Sequence, residues 1–192
     1  MSLTLDPRTT ALVLIDLQKG IVGQPMAPHD APSVIGRSAE LARHFAGRKA
    51  LVVRVNVVFS EGDRPGQEVD APMQLPPGGL PPEWAEFVPE IADIPGAITI
   101  TKRQWGAFHG TELDLQLRRR GIRTIVLCGV STPIGVETTA REAWQHHYAV
   151  VIAEDACAAS GGAADMHDYS IKKILPRIAK VRSTEDVLKA LA

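Results

Sequence analysis

Two ionisable residues stand at the ends of short apolar runs: Asp16 closes residues 10–15 (TALVLI), and Lys102 closes residues 97–101 (AITIT). A carboxylate and an ammonium brought to one sheet edge form a partly buried pair. The lysine then lowers the pKa of the acid unless desolvation opposes it. Such a pair suits proton transfer, and it equally suits a structural tie between two strand ends. A third segment, residues 129–135 (GVSTPIG), follows another apolar run and leads into a helix, whose N-terminus at Gly135 offers backbone N–H groups to an anion.

The flanking elements explain why these residues should meet. Residues 10–15, 50–58, 97–101, 124–130 and 149–153 are short and rich in β-formers, with the fifth run ending at Glu154 and Asp155. Between them lie helical patterns at 34–46, 111–120 and 135–145. The chain closes with a helix at 166–175, an edge strand at 179–182 and a helix at 183–191. Thr111 stands as the N-cap of the second helix, and basic residues 118–120 complement its C-terminal dipole. Strands alternating with helices predict a three-layer α/β/α domain, residues 1–192, on a mostly parallel doubly wound sheet. Ligands of such sheets bind beyond the carboxyl ends of the strands, where Asp16, Lys102 and residues 129–135 fall. Residues 60–82 hold a run of prolines and glycines that admits neither regular helix nor central strand, and predict a long loop, either a lid or a disordered flap.

Composition narrows the function. With 21 basic and 22 acidic residues and 5% aromatics, the chain has neither the positive field nor the stacking platform that nucleic acid needs. No apolar run reaches the roughly 20 residues of a membrane span, and residues 1–8 lack the pattern of a secretory leader, so a cytoplasmic protein is expected. Its two cysteines, Cys128 and Cys157, predict reduced thiols rather than a disulfide framework or zinc site.

Taken together, residues 11–18 (ALVLIDLQ), 102–113 (KRQWGAFHGTEL), 129–143 (GVSTPIGVETTAREA) and 154–156 (EDA) resemble the isochorismatase-like hydrolase superfamily over nearly the whole chain. In its amidases an Asp, a Lys and a Cys form the catalytic triad; the resemblance places Asp16 and Lys102 on the first two positions and Gly135 on the third. It implies a cis peptide at Val130–Ser131, with the backbone of Val130, Ser131 and Gly135 available to an oxyanion or carboxylate. True isochorismatases also carry Gly there, and cleave a vinyl ether with the Asp as acid. Their motif has His and Cys where this chain has Pro133 and Val136. The resemblance thus implies a hydrolase for a small, anionic metabolite, or a binding member that lost the nucleophile. It implies no cofactor and a homodimer or homotetramer. The metal-binding members carry an Asp-x-His pair after the second strand; here that region reads RVNVV at 54–58, and no metal site is expected.

Neighbouring residues admit two readings each. Gln18 either contacts substrate or makes a helix-entry hydrogen bond. Trp105 and Phe108 either wall an apolar pocket or belong to the core. Arg54 either meets a substrate anion or faces solvent, His109 shuttles protons or caps a surface turn, and Cys157 is a displaced nucleophile or a small buried thiol.

Overall fold

The computed structural model describes residues 3–59, 68–71 and 79–191. Most of the loop expected at 60–82 lies outside those residues. The strands are β1 (Thr10–Ile15), β2 (Met26–Ala27), β3 (Leu51–Val57), β4 (Ile98–Lys102), β5 (Thr124–Val130), β6 (Ala149–Ser160) and β7 (Lys180–Arg182). The main helices are α1 (Lys19–Val22), α2 (Ala31–Gly47), α3 (Pro89–Ala92), α4 (Leu113–Arg119), α5 (Glu137–Gln145), α6 (Ala164–Tyr169) and α7 (Thr184–Ala190). The sheet order is β2-β6-β5-β1-β3-β4, with β7 beside β6. Every pairing is parallel except that of the two-residue β2. The mostly parallel α/β fold read from the sequence is the fold observed.

Physical reasons for the elements are local. All six residues of β1 are buried, as a strand covered on both faces requires. Helix α2 begins at Asp30, whose carboxylate accepts from the Ser33 N–H, and it buries Val34, Ala39, Leu41, Ala42 and Phe45 along one stripe. The order reverses at β1: the chain builds outward through β3 and β4, then returns to place β5 on the other side. A crevice opens at such a reversal, and Asp16 and Ser131 follow the two strands that flank it.

Two details depart from expectation. Strand β6 does not stop at Glu154 but runs to Ser160, because it bulges: Leu127 pairs with Ile152 and Gly129 with Cys157, so Cys128 alone stands opposite residues 153–156. The last expected helix before Pro176 is instead α6 continued by a π-helical turn, Ser170–Ile174, and a short 3₁₀ turn, Leu175–Arg177.

Gly129 shows how tightly β5 meets β1. Its φ is +115°, and a Cβ there would lie 2.2 Å from the Ile15 carbonyl oxygen. Gly129→Ala should therefore lose at least about 2 kcal/mol in urea unfolding or fail to fold. Gly36→Ala, in α2 with no atom near the new Cβ, should gain roughly 0.5–1 kcal/mol.

Candidate active site

Asp16 leaves β1 with φ at +52°, a left-handed conformation uncommon outside glycine, while its N–H donates to the Val55 carbonyl at 2.9 Å. This turn aims the carboxyl across the carboxyl end of β3. Lys102 ends β4 in register with Val57, one strand beyond. Adjacent strands are roughly 4.8 Å apart, so a side chain reaching from β4 toward β1 must cross the intervening strand. A lysine's four-carbon stem does this: its Nζ donates to Asp16 Oδ2 at 2.7 Å and to the Gln104 carbonyl at 3.1 Å.

The pair is closed off from water, Asp16 being 4% and Lys102 2% exposed. Asp16 Oδ1 is buried and has no hydrogen-bond partner among the described residues. Burial raises the Asp16 pKa to about 6, outweighing the charge and hydrogen bond of Lys102, which lower it. The acid is thus poised to change protonation near neutrality. One oxygen is held by lysine, and the other has no partner among the described residues.

Gly135 faces this carboxyl. A Cβ built there would lie 3.2 Å from Asp16 Oδ2 and 3.1 Å from Ile15 Cγ2. The peptide Val130–Ser131 is cis, as the resemblance implied. A π-helical turn, Thr132–Val136, follows, with the Ser131 carbonyl accepting from Ile134 N and Val136 N. The Ser131 hydroxyl accepts from Ser160 N at 3.0 Å and so locks this turn to the far end of β6.

Several residues do something other than expected. Gln18 stands at the N-cap of α1, but its buried side chain neither faces an open site nor caps the helix. Its Oε1 accepts from Val57 N at 2.8 Å, and its Nε2 donates to the carbonyls of Val57 and Trp84. It ties the residue after β1 to the end of β3 and to the segment around Trp84. That segment is held again by Lys19 N to the Glu86 carbonyl and Val88 N to the Leu17 carbonyl. Phe108 is no pocket wall: it stacks on His146 at 5.0 Å and touches Tyr148, beside the amino end of β6, away from the carboxyl edge that holds Asp16. Trp105 is 60% exposed, and His109 is exposed too. Arg54 donates to the carbonyls of Ile91 and Ala92, closing the C-terminus of α3, and to Thr99. Asp155 accepts from the N–H and hydroxyl of Thr184 at the start of α7 and pairs with Arg37.

Three positioning residues escaped the sequence reading. Thr139 accepts from Ala107 N and donates to the Gly135 carbonyl, while Glu142 accepts from Phe108 N and lies flat on Gly106. Spaced three apart, they share a face of α5 and bolt the loop after Lys102 to the helix that begins at the site. Trp84 packs against the Cα of Gly20 so closely that a Cβ would meet the ring at 1.9 Å. The first two could have been found as polar residues recurring at helical spacing within the 129–143 motif.

A model described as the isochorismatase domain matches residues 10–186. The chain is 50% identical over 191 residues to an uncharacterized isochorismatase family protein, YecD, of Escherichia coli O157:H7, covering 98% of this chain and all of the relative. It is 48% identical over 190 residues to a second, YwoC, of Bacillus subtilis strain 168, covering 98% and 97%. An isochorismatase family protein from Burkholderia thailandensis superposes with a TM-score of 0.92 at 42% identity, covering 100% of this chain and 99% of the other.

The pair generates a pH signature. A buried carboxyl with a folded pKa above its unfolded value contributes stability that is present at low pH and lost as pH rises through the folded pKa. Lys102→Met removes what lowers the Asp16 pKa, so that pKa moves above 6. The variant should go on losing stability above pH 6 while the parent levels off. The gap between them should widen to about 3–5 kcal/mol by pH 8 in denaturant unfolding; a gap that narrows as pH rises contradicts this electrostatic reading.

Proposed function

The chain belongs to the isochorismatase family of hydrolases, and from that premise we propose that it cleaves a small, anionic metabolite by acid–base chemistry at Asp16 and Lys102, without a thiol nucleophile or covalent intermediate. The observation that carries this reading is the Asp16 carboxyl, fixed on one oxygen by Lys102 and, among the described residues, unpartnered on the other, with a pKa raised to about 6. A neutral acid of this kind donates a proton that a solvated aspartate cannot hold near neutral pH.

Gly135 supports the same reading. It sits against Asp16, at the position that the resemblance gives to the cysteine of the amidase members, and it has no side chain to act as a nucleophile. Neither thiol of the chain replaces it. Cys128 and Cys157 are fully buried; burial pushes the first up to about 12 and the second well above its ordinary value, and Cys157 donates to the Ala153 carbonyl.

A vinyl ether is the substrate class that this equipment fits. Asp16 Oδ1–H gives its proton to the terminal methylene carbon as the C=C π pair forms the new C–H bond, and an ether-oxygen lone pair makes the oxocarbenium. Water adds to the oxocarbenium carbon, the one bonded to the ether oxygen, and returns a proton to the Asp16 carboxylate. The resulting hemiketal then expels the alcohol as its C–O bond breaks and the ketone forms, the hydroxyl proton passing to the departing oxygen. Net, one water is consumed. An ammonium has three N–H donors, and among the described residues that of Lys102 has two acceptors, which leaves one for a substrate carboxylate. The same charge stabilises the carboxylate that Asp16 becomes after donating its proton. Backbone N–H groups of Val130, Ser131 and Gly135, around the cis peptide, supply the remaining anion contacts in this reading.

Asp16→Asn keeps the shape and removes the proton. On a panel of small enol ethers, carboxylates and amides, with the fold checked by circular dichroism, it should cut turnover by roughly 10²–10⁴ while ligand still binds. For the parent, kcat/KM should fall about tenfold per pH unit above pH 6, as the acid loses its proton. If neither protein turns over any compound, yet both bind, the chain is a ligand-binding member instead.

A further inference from the structure

No metal ligand set is legible in the sequence, yet the fold brings three candidate donors together. Atoms of His29, Glu154 and His167 that can ligate all lie within 4.8 Å of one another. We propose that these three side chains bind one divalent transition-metal ion of the zinc class.

Each donor is placed by a different part of the fold. Glu154 lies in the bulge of β6, among the residues opposite Cys128. His167 is in α6, 1% exposed, and its Nδ1 lies 2.8 Å from the Thr132 hydroxyl. With Nδ1 engaged there, Nε2 is the nitrogen left for a metal, and the hydroxyl is the kind of outer partner that fixes a ligating imidazole. His29 comes from the segment after β2. Its ring meets that of His167 edge-on, at 6.0 Å and 87°, an arrangement in which two imidazoles converge on a point rather than stack. The half-buried His29 can shift; around a tetrahedral ion with bonds near 2.1 Å, donors are roughly 3.4 Å apart, so the closure required is small.

The surroundings suit an ion that is loaded from solvent. The three residues line a cavity of about 660 Å³, wide enough to admit an ion and leave water on a fourth position. Asp168, also on its wall, is already paired with Lys172 at 2.7 Å. Two imidazoles and one carboxylate form a borderline donor set that selects zinc, cobalt, nickel or copper over calcium or magnesium. Thr132 opens the turn that carries Gly135, so an ion here would brace the same loop that borders Asp16.

The test is a calorimetric titration of untagged, EDTA-stripped protein with zinc chloride, paired with thermal unfolding. One ion per chain and a raised Tm are expected. His29→Ala and Glu154→Gln should each weaken binding at least tenfold and erase the Tm shift. The chain has six histidines, two of them adjacent at 146 and 147. A variant with both replaced by alanine should bind as the parent does. Binding weaker than about 1 mM, binding indifferent to His29→Ala and Glu154→Gln, or binding lost with His146 and His147 would each overturn the proposal.

Discussion

A single buried ion pair sets the terms for the rest of this molecule. Asp16 and Lys102 meet at 2.7 Å with almost no solvent between them and the core. Removing two such groups from water costs several kcal/mol each, and the attraction recovers it only with good geometry and further hydrogen bonds. Here the lysine has a second acceptor, but one carboxylate oxygen has no partner among the described residues. The pair is therefore under-satisfied, and the carboxyl responds by holding its proton to higher pH. Much of the nearby architecture keeps water away from this arrangement: Gln18 cross-ties the strand ends, Trp84 closes on Gly20, and Thr139 and Glu142 anchor the loop after Lys102.

The same constraint underlies the proposed chemistry. A cysteine nucleophile needs an adjacent base that is ionised, whereas an acid catalyst needs a carboxyl that is not. With glycine at 135, the Asp16–Lys102 pair has no thiol to activate, and the desolvation that would hinder a base favours an acid. The close approach of Gly135 to Asp16 Oδ2 shows how little space a side chain there would have: even one carbon would press on Ile15 and the carboxyl. Glycine and a protonated Asp16 thus belong to one physical solution. In the proposed function they are two aspects of a site organised around a proton rather than a thiolate.

What the sequence revealed follows from the range of the forces involved. Asp16 and Lys102 were legible because a charge at the end of an apolar run marks a strand terminus, and parallel sheets gather those termini at one edge. The roles of Gln18 and Arg54 were not, because their partners lie 39 and 37 residues or more away and are mostly backbone groups that carry no sequence signature. Phe108 misled for a related reason: proximity to Lys102 in the chain does not say that the loop turns back along α5 toward the amino ends of the strands. The continuation of β6 past Glu154 was hidden because a bulge breaks the alternation by which strands are recognised. That bulge also brings Glu154 beside His29 and His167, a grouping that only the folded topology creates.

The most direct test of this account is a carbon-13 NMR titration of the Asp16 carboxyl, assigned by comparison with Asp16→Asn, in protein free of substrate. A carboxyl that takes up its proton near pH 6, and at higher pH once Lys102 is replaced by methionine, is the result the account predicts. A carboxylate that stays ionised down to the ordinary range near pH 4, with Lys102 in place, would contradict it: the pair would then be a structural tie and Asp16 no acid.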